Sequence, residues 1–102
     1  MIDIGSNVGV LLKGFQDRGC RILGIEPAEN IAQIANKNNI KTQAVFFNHD
    51  VAKEILDEHG KAKVITASNV FAHIDDLNAV LECLDILLDD DGIFVIEAPY
   101  LV

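Results

Sequence analysis

Basic residues are scarce in this chain: 8 Lys and Arg stand against 16 Asp and Glu, a formal net charge of −8 over 102 residues. Nucleic-acid affinity comes largely from cations that neutralise phosphates, so the expectation is no nucleic-acid partner. No apolar run approaches the roughly 20 residues that a membrane helix needs. The opening Met1-Ile2-Asp3 lacks the basic start and apolar stretch of a signal peptide, and the expected setting is the cytoplasm with no membrane contact. Cysteine is limited to Cys20 and Cys83, far apart and without CxxC spacing, which reads as two small buried thiols. Neither they nor His49, His59 and His73 have ligand spacing, so no metal is expected; His49 and His59 read as solvated positions around one helix.

What the chain does have is apolar residues, half of the total, enough for one continuous core in a single domain spanning 1–102. They fall into short β-rich runs alternating with helical periods. Strands are expected at 1–4, 21–25, 42–47, 63–67 and 93–97. The first helix is expected over 8–18, with Leu11, Leu12 and Phe15 on one face, and the second over 28–37 on Ile31, Ala32, Ile34 and Ala35. Asp50 is expected to cap a third helix with Val51, Ile55 and Leu56 inward, ended by Gly60. A fourth starts at Asp75-Asp76 and carries Leu77, Val80, Leu81, Leu84 and Leu88, and the run Asp89-Asp90-Asp91-Gly92 reads as a turn. Such alternation implies an α/β fold: a doubly wound, mostly parallel, five-stranded Rossmann-like sheet of order 3-2-1-4-5 with helices on both faces. Ligands of such sheets bind beyond the carboxyl ends of the strands where the order reverses, here between strands one and four. The loop at 5–9 then faces the segment Ser68-Asn69-Val70.

That loop, Gly5-Ser6-Asn7-Val8-Gly9, follows a strand and precedes a helix, the setting of a nucleotide-type cofactor cradle. The dinucleotide spacing G-x-G-x-x-G fails in it, because Asn7 and Val10 stand at the second and third glycine positions. Asp3 is an unusual charge for a strand buried on both faces and needs a hydrogen bond or a cation. An ammonium- and sulfonium-bearing ligand suits such an acidic crevice better than a pyrophosphate. At the end of strand two, Glu26 is placed to accept from both hydroxyls of a ribose; the alternative is an exposed acid that stabilises the next helix start.

Asp3-Ile4-Gly5-Ser6-Asn7-Val8-Gly9 and Leu23-Gly24-Ile25-Glu26-Pro27 resemble the first two motifs of class I S-adenosylmethionine-dependent methyltransferases. Ser68-Asn69-Val70-Phe71-Ala72-His73-Ile74 and Phe94-Val95-Ile96-Glu97-Ala98-Pro99-Tyr100-Leu101 look most like the nucleotide-sugar C-methyltransferases, which attach a carbon branch to a deoxysugar. The resemblance runs through nearly the whole chain. It implies S-adenosyl-L-methionine as cofactor, with Asp3, Gly5, Ser6, Asn7 and Gly9 around its methionine part and Asn69 opposite. It further implies Glu26 on the ribose, with Pro27, Phe47 and Asn48 around the adenine. The family often has an acid at the place of Val8, a departure that bears on cofactor affinity more than on fold.

Methyl transfer is an in-line displacement at a sulfonium carbon, and a carbon acceptor also needs a base to remove a proton beside a carbonyl. His73 has the chemistry for that base, or is a loop histidine packed at a helix start. Glu97 and Tyr100, at the carboxyl end of strand five, either meet the acceptor or are solvated end groups. The resemblance places the main base in a later motif, and a metal-binding region ahead of strand one, so a truncated core is expected whose activity alone is open. Strand five is then an apolar edge that invites self-association. Two further readings stay open: a nicotinamide-dependent oxidoreductase fragment and a non-catalytic binding or assembly module.

Overall fold

The computed structural model describes residues 1–68 and 74–97. In chain order the elements are β1 (Ile2–Ile4), α1 (Val10–Gln16), β2 (Leu23–Ile25), α2 (Glu29–Lys37), β3 (Thr42–Gln43), α3 (His49–His59), β4 (Ala62–Ser68), α4 (Ile74–Leu87) and β5 (Leu88–Glu97). The five strands form one sheet of order β3-β2-β1-β4-β5, with every pairing parallel. The expected doubly wound α/β sheet is therefore the observed one.

Alternation along the strands divides the core between the two faces of the sheet. Ile2, Ile4, Leu23 and Ile25 pack with Val51 and Ile55 of α3 and with Val80, Cys83 and Leu87 of α4. Leu12 of α1, Ala35 of α2 and Ile40 form the second cluster. Truncating a fully buried member such as Ile55 to alanine costs about 2–5 kcal/mol.

Several boundaries differ from the sequence expectation, each for a local reason. β3 stops at Gln43 rather than reaching Phe47. Its ladder runs through Gly24 N–H to Lys41 O (2.9 Å) and Glu26 N–H to Gln43 O (3.0 Å), but the next donor in the series, Ala28 N–H, is taken by the Glu26 carboxylate at 3.0 Å. On the free side of β3 the Asn36 amide caps both backbone groups of Thr42, at 2.8 and 3.0 Å. α1 begins at Val10 rather than Val8, because Gly9 at φ 90° cannot continue a right-handed helix. Leu12 is its buried residue, while Leu11 is exposed. The α3 cap is Asn48, whose side chain accepts from Val51 N–H at 2.9 Å; Asp50 lies within the first turn instead. On α4 the buried row is Val80, Cys83 and Leu87, at helical spacing, and Leu81 faces solvent. Leu88 belongs to β5, not to the helix.

The acid run lies inside β5 as an irregularity. Leu88 pairs with Ala62 and Ile93 with Val64, so residues 89–92 stand opposite Lys63 alone. Register is regular from there to Ser68 and Glu97. Of the two cysteines only Cys83 is buried; Cys20 is exposed. Burial, reinforced by the Glu82 charge, pushes the Cys83 thiol above its ordinary pKa.

Candidate functional site

β1, at the centre of the sheet, delivers the loop at 5–9 to the carboxyl end of the strands, where the strand order reverses. Asp3 pairs with Gly24 of β2 on one side and Thr66 of β4 on the other, so the three form one cross-strand row. The Asp3 carboxylate is 1% exposed and accepts from the Thr66 hydroxyl at 2.7 Å. This hydrogen bond is one of the interactions by which an acidic residue persists on a strand covered on both faces.

The loop itself is built from backbone bonds. Gly5 and Ser6 both donate to Ile25 O, at 2.8 and 3.2 Å, tying the end of β1 to the end of β2. Gly5 (φ 75°), Asn7 (φ 57°) and Gly9 (φ 90°) all take the left-handed conformation, and Gly9 N–H closes the turn on Ser6 O at 3.1 Å. Asn is among the few non-glycine residues that enter that region readily. At Gly9 a Cβ would also stand 2.6 Å from Ile40 Cγ2, so both conformation and space require glycine.

Glu26 joins the loop to the start of α2. One carboxylate oxygen accepts from Asn7 N–H at 2.9 Å and the other from Ala28 N–H at 3.0 Å. The residue is 9% exposed, so it is not the exposed acid of the alternative reading, although it does hold the residue that precedes α2. Each oxygen keeps a lone pair, which leaves the carboxylate able to accept two further hydrogen bonds.

Ser6 Oγ is buried and has no hydrogen-bond partner among the described residues. It lies over Gly24, where a Cβ would stand 2.5 Å from that oxygen and 2.9 Å from Thr42 Oγ1. A buried hydroxyl without a partner among the described residues, in a loop that Asp3 precedes and the Glu26 carboxylate holds at Asn7, is a group that a polar ligand would complete. The residues present thus fit the methionine and ribose parts of S-adenosylmethionine.

A family described as a methyltransferase domain matches residues 1–101. The chain belongs to that family. C-methyltransferase NovU of Streptomyces niveus is 39% identical over 102 residues, all of this chain and 24% of that protein. The ubiquinone biosynthesis O-methyltransferase of Rhodopseudomonas palustris (strain BisB5) is 29% identical over 96 residues, 94% of this chain and 38% of that protein. The chain thus spans well under half the length of these curated relatives. Among solved structures, a SAM-dependent methyltransferase from Anabaena variabilis ATCC 29413 superposes with a TM-score of 0.74 at 21% identity, covering 92% of this chain and 42% of that one. S-adenosylmethionine is the cofactor that this methyltransferase membership carries.

The remaining expected site residues are distributed unevenly. Pro27 is exposed beside Glu26. Phe47 packs against the α3 and α4 side of the core, and Asn48 uses its side-chain oxygen on the α3 cap. Phe46, which the sequence did not single out, is 76% exposed just beyond β3. Asn69, His73 and Tyr100 lie outside the described residues, and of Glu97 only the backbone position, paired with Ser68, is described. Gly24 and Thr66 were also missed as site residues. A glycine inside an apolar strand was the available signal for the first; for Thr66 there was none before the register of β1 against β4 was known. Among the described residues no group of three or more His, Cys, Asp or Glu is placed to hold a metal, and no helix is long and apolar enough to cross a membrane.

Proposed function

We propose that this chain is the cofactor-binding core of a methyltransferase acting on a small molecule, with a nucleotide-linked deoxysugar as the acceptor class. The observations that carry the cofactor reading are the buried carboxylates of Asp3, at the end of β1, and Glu26, bonded to the loop at Asn7, together with the buried Ser6 hydroxyl, which has no partner among the described residues. Ser6, with Gly5, Asn7 and Gly9, would hold the methionine part over the Asp3 carboxylate, and Asn69 would reach it from the opposite wall. The two unused lone pairs of Glu26 would take the ribose hydroxyls. Pro27, Phe47 and Asn48 would border the adenine, with the open ring of Phe46 as a further wall.

The acceptor class rests on the relative described as a C-methyltransferase and on the motif resemblance. For a carbon acceptor His73, Glu97 and Tyr100 are the candidates for proton removal and acceptor alignment. We place the reaction in the cytoplasm. The outer edge strand β5 exposes Ile93, Val95 and Ile96, and this supports self-association along it; a concentration-independent monomer in sedimentation would count against that.

Calorimetric titration with S-adenosylhomocysteine and, separately, NADH tests the reading. Saturable binding of the former alone is expected. Binding of NADH in its place would overturn it, and binding of neither would leave the non-catalytic module as the better account.

A further inference from the structure

The amino ends of the strands, opposite the cofactor crevice, open on a second cavity of about 660 Å³. Its apolar part comes from the strand starts and the helices beside them, including Ile2, Phe15, Leu23, Ile55 and Val64. Its charged part is Arg21, Lys41, Lys61 and Lys63, half of the eight bases in the chain. Acids outnumber bases two to one in this protein, yet among the described residues no Asp or Glu lines the cavity.

The four bases are largely uncompensated. Arg21, Lys41 and Lys61 make no ion pair among the described residues, and Lys63 has one exposed pair, with Asp91 at 3.2 Å. His59 stands with them: its Nδ1 is 3.5 Å from the Arg21 guanidinium, and its buried Nε2 makes no hydrogen bond among the described residues, the Glu58 carboxylate lying 3.6 Å away. Like charges held together repel, and a bound anion relieves that repulsion. The apolar wall adds a place for a hydrophobic body, and the volume lies within the roughly 300–1,000 Å³ of small-molecule sites.

We propose that this cavity binds an organic anion with an aromatic or other apolar body, of the aryl phosphate class. It is distinct from the crevice where methyl transfer would occur, so its ligand is not the methyl acceptor, and the proposal stands whether or not that reading holds. Ile2 borders the cavity, and three to four residues later the same chain supplies Gly5 and Ser6 to the loop at the other end of the sheet.

Calorimetric titration with phenyl phosphate, inorganic phosphate and phenol provides the test. Phenyl phosphate is expected to saturate, and to bind at least about tenfold more tightly than either of its halves. Lys61→Glu, and Arg21→Glu in combination with it, should weaken phenyl phosphate by about tenfold or more while S-adenosylhomocysteine binding and the circular dichroism spectrum stay as in the parent. The proposal is overturned if phenyl phosphate does not saturate, if phenol binds as well as phenyl phosphate, or if the folded Lys61→Glu variant binds it unchanged.

Discussion

The two ends of this one sheet carry opposite charge, and they hold it in opposite ways. At the carboxyl end the carboxylates of Asp3 and Glu26 are buried and fixed by a hydroxyl and by backbone N–H groups. At the amino end the bases are exposed on flexible stems, with a single exposed ion pair among the four. Burial makes an electrostatic site orienting, because the charge cannot move and unpaired alternatives are expensive. Exposure makes it attractive but tolerant, because water and salt share the charge. On the readings proposed above, the difference teaches that the acid end would orient one ligand and the basic end would accept a class of them.

The largest effect is expected from closing the acid end. Gly24→Val places side-chain atoms where Ser6 Oγ and Thr42 Oγ1 already stand. A loss of about 3 kcal/mol or more in stability is expected, with binding of S-adenosylhomocysteine abolished. Unfolding in urea and calorimetric titration measure the two, and a variant with both unchanged would show that the crevice is not shaped by this glycine.

Next comes Glu26→Ala, which strands the N–H groups of Asn7 and Ala28. About 1–2 kcal/mol of stability should go. S-adenosylhomocysteine should weaken by at least about tenfold, while phenyl phosphate at the other end binds as before. If both ligands weakened equally, the two ends would be parts of one site and the contrast would fail.

Salt gives the smallest effect and the sharpest contrast. Raising ionic strength from about 0.1 to 1 M shortens the screening length from about 10 to 3 Å. Phenyl phosphate affinity should fall severalfold and that of S-adenosylhomocysteine should change little. Equal sensitivity at the two ends, read from paired titrations, would contradict the assignment of buried and exposed charge.

Much of the acid end was legible in the sequence because it is local. The strand, the turn with its glycines and the following helix occupy adjacent residues, and Glu26 marks the end of the next strand. The doubly wound parallel sheet also followed from the alternation of elements, and its expected order 3-2-1-4-5 is the observed one. What escaped depends on contacts between distant segments. Thr66 matters only because β4 lies beside β1 in one register, and β3 is short because Glu26 captures a donor that the ladder would otherwise use. The sequence reading named Asp50 as the α3 cap where the structure has Asn48, because both residue types cap well and only the backbone decides which stands outside the helix. The basic cavity was invisible for the same reason: its four bases come from three separate connections and a strand, with nothing in their spacing to unite them.

The irregularity in β5 separates the two ends mechanically. Residues 89–92 stand against a single partner residue, and pairing resumes in strict register from Val64 and Ile93 onward. Slack of this kind absorbs changes of length, so an inserted or deleted residue in the acid run alters the charge facing Lys63 without shifting Glu97 along β4. The chain can therefore retune the electrostatics of its basic rim by editing one short acidic stretch, while the strand that leads to the carboxyl end keeps its alignment.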